Sequence, residues 1–93
     1  MATYFLFGKY TPGSIRQISG ERTGEASRVI DELGGKTKAM YALLGEHDLV
    51  LIVEFPGMPE AMQASVSLCS STGIAFSTSP AIPVDDFDKL MSQ

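Results

Sequence analysis

Residues 36–55 read KTKAMYALLGEHDLVLIVEF, two apolar runs on either side of Gly45-Glu46-His47-Asp48. Each run has the length of a strand, and the β-branched and aromatic residues within them suit a pleated, half-buried surface. The stretch is read as a β-hairpin, 36–44 and 49–55, at the centre of a small sheet. With Leu44 set opposite Leu49, Tyr41 faces Ile52 and Ala39 faces Glu54. Side chains alternate between the two faces of a strand. One face then carries Met40, Ala42, Leu44, Leu49, Leu51 and Val53, wholly apolar and suited to lie beneath helices. The other carries Thr37, Ala39, Tyr41, Leu43, Val50, Ile52 and Glu54. That mixture is too apolar to face water alone, yet it holds polar groups. It reads as a surface against another subunit, with a cavity between.

Outward from the hairpin, TYFLFGKY (3–10) is a strand with apolar groups on both sides: Phe5 and Phe7 on one, Tyr4, Leu6 and Tyr10 on the other. This is the pattern of a strand buried on both faces. Thr11-Pro12 has the form of a helix start, with Thr11 as N-cap and Pro12 where a missing N–H costs nothing. A second helix starts between Glu21 and Gly24 and runs to Leu33, with Ala26, Val29, Ile30 and Leu33 at helical spacing. Gly34-Gly35 ends it. After Phe55-Pro56-Gly57, Pro59 and Glu60 suit the first turn of a helix that ends near Thr72-Gly73. Met62, Val66 and Cys69 form its expected apolar stripe, flanked on the same side by Ala61, Ser65 and Leu68, and Cys69 acts there as a small hydrophobe. Residues 74–79 are a more polar edge strand, stopped by Pro80 and Pro83. Asp85 and Asp86 cap a short terminal helix with Phe87, Leu90 and Met91.

The order strand, helix pair, strand, strand, helix, strand is that of an α+β, ferredoxin-like βαββαβ sandwich. Its four-stranded antiparallel sheet carries helices on one face only. The 93 residues make one domain, 1–93, because a chain this short buries only about 60–65% of its unfolded surface. At 44% hydrophobic and 19% charged residues the composition is globular, and rich enough in apolar side chains to leave some for a partner.

A net charge of −4, with seven scattered basic residues, argues against nucleic acid and against an anionic membrane. No apolar run approaches the ~20 residues of a bilayer span, and the expected location is the cytoplasm. The single cysteine excludes an intrachain disulfide, one His with one Cys argues against a metal site within one subunit, and Gly8, Gly13, Gly20 and Gly24 form no dinucleotide or phosphate loop, so no cofactor is expected.

TYFLFGKYTPGSIRQI (3–18), Leu33-Gly34-Gly35-Lys36, Leu44-Gly45-Glu46-His47-Asp48, Val53-Glu54 and Asp86-Phe87-Asp88-Lys89-Leu90 together resemble the GYD domain family across the whole chain. His47 stands where that family's motif usually has Tyr. The resemblance implies a ferredoxin-like fold of the dimeric α/β-barrel type, in which two sheets meet through their bare faces. The family has no established activity. Its wider superfamily includes cofactor-independent monooxygenases, isomerases and small-effector sensors, so fold alone does not name a function.

The chemistry-bearing residues are few. His47 beside Asp48 is a candidate general base, although glycine and Asp at such a position usually serve a turn. Glu54 on the mixed face is the second candidate base or ligand anchor, or else a strand-end group paired with Lys36 or Lys38. Tyr41 offers a hydroxyl, and Lys9 and Tyr10 lie where the first strand meets the helix, a common pocket mouth. The expected binding set is Tyr41, Glu54, His47, Ile52 and Lys9. It belongs to a homodimer that binds a small apolar or aromatic molecule between its sheets. The rivals are a cofactor-independent enzyme of the monooxygenase or isomerase kind, and a purely structural interaction module.

Overall fold

A computed structural model of the chain describes residues 1–92. The elements run β1 (Ala2–Lys9), α1 (Pro12–Ile15), α2 (Gly20–Glu32), β2 (Lys36–Ala42), β3 (Leu49–Phe55), α3 (Met58–Thr72), β4 (Ala75–Ala81) and α4 (Val84–Met91). The strands form one sheet in the order β2-β3-β1-β4, with every neighbouring pair antiparallel. This is the ferredoxin-like arrangement that the element order implies, although the hairpin expected at the centre of the sheet puts only β3 there and leaves β2 at an edge.

The core lies between the sheet and α2 and α3. Tyr4 and Leu6 of β1, Leu51, Val53 and Phe55 of β3, Ile30 of α2, and Ala61, Ala64 and Leu68 of α3 are buried together. Tyr4 and Leu6 therefore meet the helices, and Phe5 and Phe7 lie on the bare face. From α2, Ala26, Val29 and Leu33 pack on the same core, as their spacing requires. On its outer side, Arg28 bridges Glu25 and Glu32, and its hydrogen bonds hold the Glu25 carboxyl below its usual range. Thr11 caps α1 in a reciprocal capping box with Ser14.

Four further expectations are corrected. In the hairpin, Tyr41 lies opposite Val50 and Ala39 opposite Ile52, two residues from the expected register. The pair that closes the loop is Leu43 with Asp48, whose backbone hydrogen bond is 2.8 Å, so Leu44 is left 102% exposed outside the strand. A bulge at Lys38 then shifts the register again. It turns Thr37 to the face of Val53 and brings Lys36, not Ala39, opposite Glu54.

The second correction concerns α3. Of the expected side, Ala61 and Leu68 are buried, together with Ala64 and Thr72, while its centre line of Met62, Val66 and Cys69 points outward, Val66 at 70% exposure. Small side chains let the helix lie close on the sheet. The bulkier stripe would hold it further away and open voids that a packed interior does not tolerate.

Third, β4 continues through Pro80 to Ala81. It pairs with β1 alone and has a free edge, where the missing N–H of proline breaks no ladder bond. Last, the N-cap of α4 is Pro83, with Asp85 and Asp86 inside the first turn, where they favour the positive end of the helix. The helix buries none of its residues, and Val84, Phe87, Leu90 and Met91 are all exposed.

The bulge has a measurable consequence. The hydroxyl of Thr37 is buried without a hydrogen-bond partner. Thr37→Val keeps the shape and removes that unsatisfied group, so the variant is expected to gain about 1 kcal/mol of unfolding free energy, read as a higher chemical denaturation midpoint. A loss of stability would show that the hydroxyl does find a partner.

Candidate functional site

All four strands contribute to one end of the sheet: β1 and β2 finish there, and β3 and β4 begin there. The N-terminal half of α2 crosses above this end and does not fill it. The apolar stripe of α2 begins only at Ala26; before it stand Gly20, Thr23 and Gly24. Leu49, Leu51, Met40, Ile74 and Phe76 are thus left with an opening above them of about 280 Å³. Ile18, Ser19, Arg22 and Thr23 close it from the helix side, with Tyr10, Tyr41 and Ala42 around the rim and Thr72 buried beside Ile74. The volume lies at the lower end of small-molecule sites, which run from about 300 Å³ upward.

Local sequence holds this frame in place. Ser19 caps α2 by accepting from the Arg22 N–H at 3.1 Å. Arg22 reaches back to α1, its Nη1 donating to the Ser14 carbonyl at 2.5 Å, with its guanidinium 5.6 Å from the centre of the Tyr10 ring. Across the cavity, the Thr72 hydroxyl donates to the Leu68 carbonyl at 2.5 Å and accepts from the Ile74 N–H at 3.1 Å. Two of the lining side chains pack on Gly8 of β1, where a Cβ would stand only 3.0 Å from both Ile74 and Phe76.

Of the residues expected at a site, Tyr41 borders this cavity at 58% exposure. Lys9 lies at the same end and pairs with Asp48 at 3.6 Å. The Asp48 carboxylate accepts the Tyr10 N–H at 2.8 Å, and the Asp48 N–H donates to the Gly8 carbonyl at 2.9 Å. Asp48 thus ties the hairpin loop to the end of β1. His47 packs its ring on Phe7, centroids 4.9 Å apart, on the bare face.

Ile52 and Glu54 also lie on the bare face, with Glu54 between Thr3 and Lys36. Glu54 is five residues along β3 from Leu49, roughly 17 Å at about 3.3 Å per residue. The structure therefore does not bring Glu54 and His47 together. Arg22, Ile18 and Thr23 were not among the expected site residues. The readable signal for them is the late start of the α2 apolar stripe, which leaves one end of the sheet without a covering side chain.

Among the described residues, no group of three or more His, Cys, Asp or Glu side chains gathers in a metal-binding arrangement. None of the described helices is long and apolar enough to cross a membrane.

The GYD domain family model matches residues 4–91. The chain belongs to the GYD domain family. No curated protein matches it significantly. Among solved structures, this GYD domain resembles the leucine response regulatory protein of Mycobacterium tuberculosis, with a TM-score of 0.58 at 8% identity. That likeness covers 88% of this chain and 51% of the other. An AsnC family transcriptional regulator from Agrobacterium tumefaciens also has a TM-score of 0.58, at 19% identity, over 88% of this chain and 50% of that one. At such identities the likeness is one of fold. The GYD chain spans about half the length of these regulators.

Proposed function

We propose that this GYD protein is a homodimeric binder of a small, mainly apolar molecule, and that each protomer holds its ligand beneath α2 rather than between the sheets. The observation that carries this reading is the 280 Å³ opening, walled by Leu49, Leu51, Met40, Ile74 and Phe76 and rimmed by a few polar groups. A mainly apolar recess with sparse, convergent polar groups is the usual form of a small-molecule site. Tyr41 and Lys9 keep a place at or near its rim. His47, Ile52 and Glu54 belong instead to the bare sheet face, where Phe5, Phe7 and Ile52 are only partly covered within one chain. That face is the proposed dimer surface, with the exposed apolar stripe of α4 as a second patch available to a partner.

The enzyme reading gains less support. Its two candidate bases, Glu54 and His47, stand apart and neither lines the cavity. General base catalysis needs the base within hydrogen-bond reach of the proton it takes.

A backbone NMR titration with 3-phenylpropan-1-ol tests the placement. The largest shifts are expected at Tyr10, Ala26, Ile74 and Phe76, and they should vanish in Ala42→Trp, which fills the recess from an exposed rim position. Shifts centred on Phe5, Phe7 and Ile52 would return the ligand to the space between sheets. No shifts at all would leave an interaction module.

A further inference from the structure

We infer that the cavity beneath α2 selects a small amphipathic acid, with Arg22 as the anchor for its carboxylate. The inference rests on the cavity being a binding site, and it adds the chemical class of the occupant. Fourteen residues line the opening, and none is Asp or Glu. Arg22 is the one lining residue with a permanent charge, and it is half-buried. No described carboxylate forms an ion pair with it. A partly desolvated guanidinium beside an apolar wall is costly without a counter-charge, and an incoming anion relieves that cost.

The side chain is also held in position to receive one. An arginine has five N–H donors in a planar fork. One is taken by the Ser14 carbonyl at 2.5 Å, and the Tyr10 ring lies 5.6 Å from the guanidinium carbon. These two contacts orient the fork, and the other donors remain for a carboxylate, which suits paired N–H donation. The nearby carboxylate of Asp48 is already engaged by Lys9 and by the Tyr10 N–H. The local charge at the rim is therefore set by Arg22, although the chain as a whole carries −4. Leu51, Ile74 and Phe76 supply an apolar wall for the other end of the ligand. An apolar body of modest size with one acidic group satisfies both ends.

The test compares 3-phenylpropanoate with 3-phenylpropan-1-ol, which share an apolar body and differ at the head group. Calorimetric or NMR titrations of the full chain at neutral pH should show the acid binding roughly tenfold tighter or more, as expected of a charge-assisted pair. In Arg22→Gln the acid is expected to lose that advantage, with alcohol affinity changed by less than about twofold. Arg22→Lys keeps the charge without the fork and should fall between the two, which also covers the case in which the Gln variant folds poorly. A purely structural Arg22 would weaken both probes alike. Equal binding of acid and alcohol by the native protein, or an acid preference that survives in Arg22→Gln, overturns the anchor and leaves the cavity reading intact. Binding of neither probe overturns both.

Discussion

Phe55→Ala is expected to lower the unfolding free energy by about 3–5 kcal/mol, the usual cost of deleting a fully buried aromatic ring. Among the described residues Phe55 is the largest fully buried side chain, and it sits at the end of β3 where the chain turns into α3. A domain of this kind has only about 5–15 kcal/mol in total. The variant should therefore show a much earlier urea midpoint, with a substantial unfolded fraction on mild heating.

The same ring explains Gly35. A Cβ at Gly35 would stand 2.4 Å from Phe55 Cε1, 2.6 Å from Cδ1 and 2.9 Å from the Glu54 carbonyl oxygen. Gly35→Ala is thus expected to cost about 1–3 kcal/mol by overpacking. In a Phe55→Leu background that cost should shrink, because the colliding ring atoms are gone, giving a non-additive cycle. Full additivity would mean that Gly35 is required by its backbone and not by Phe55.

The second large effect concerns association. If the bare faces of two sheets meet, the native protein should sediment at twice its 10.0 kDa chain mass at micromolar concentration. Ile52→Asp places an unpaired carboxylate on that face in each protomer. Burying such a charge is strongly unfavourable, and two per interface should weaken the dimer roughly a thousandfold, at about 1.4 kcal/mol per tenfold. The expected readout is a monomer with unchanged secondary structure. Val66→Asp, on the exposed outer side of α3, serves as the control and should leave the dimer intact. A native monomer at micromolar concentration would remove the dimer, and dissociation by Val66→Asp alone would move the interface to α3.

Much of the architecture was legible because it depends on short-range rules. The Thr11-Pro12 start, the 26–33 stripe, the Gly34-Gly35 stop and the period-two hairpin strands each follow from local chemistry, and their order implies the plait. The hairpin register was not legible, because it is set by contacts far along the chain. Asp48 is held by Gly8 and Tyr10, so the loop closes between Leu43 and Asp48 and not between Leu44 and Leu49. Period two was still enough to assign most hairpin faces correctly, since a two-residue slip preserves parity. It failed at Thr37, where the bulge reverses it.

The candidate site was the least legible part. The sequence points to Tyr41, Ile52 and Glu54 through the mixed hairpin face, to His47 through the loop and to Lys9 through the end of the first strand. The opening under α2 arises from side chains that are missing above one end of the sheet. The sequence by itself determined the GYD resemblance, the element order and the existence of a bare, partly apolar sheet face. Only the tertiary structure decided which stripe of α3 turns inward, where the hairpin registers, and that Arg22 and Tyr10 meet at a cavity. Those outcomes depend on how closely the helices can approach the sheet, and that distance is set by side chains remote in sequence and packed together only after folding.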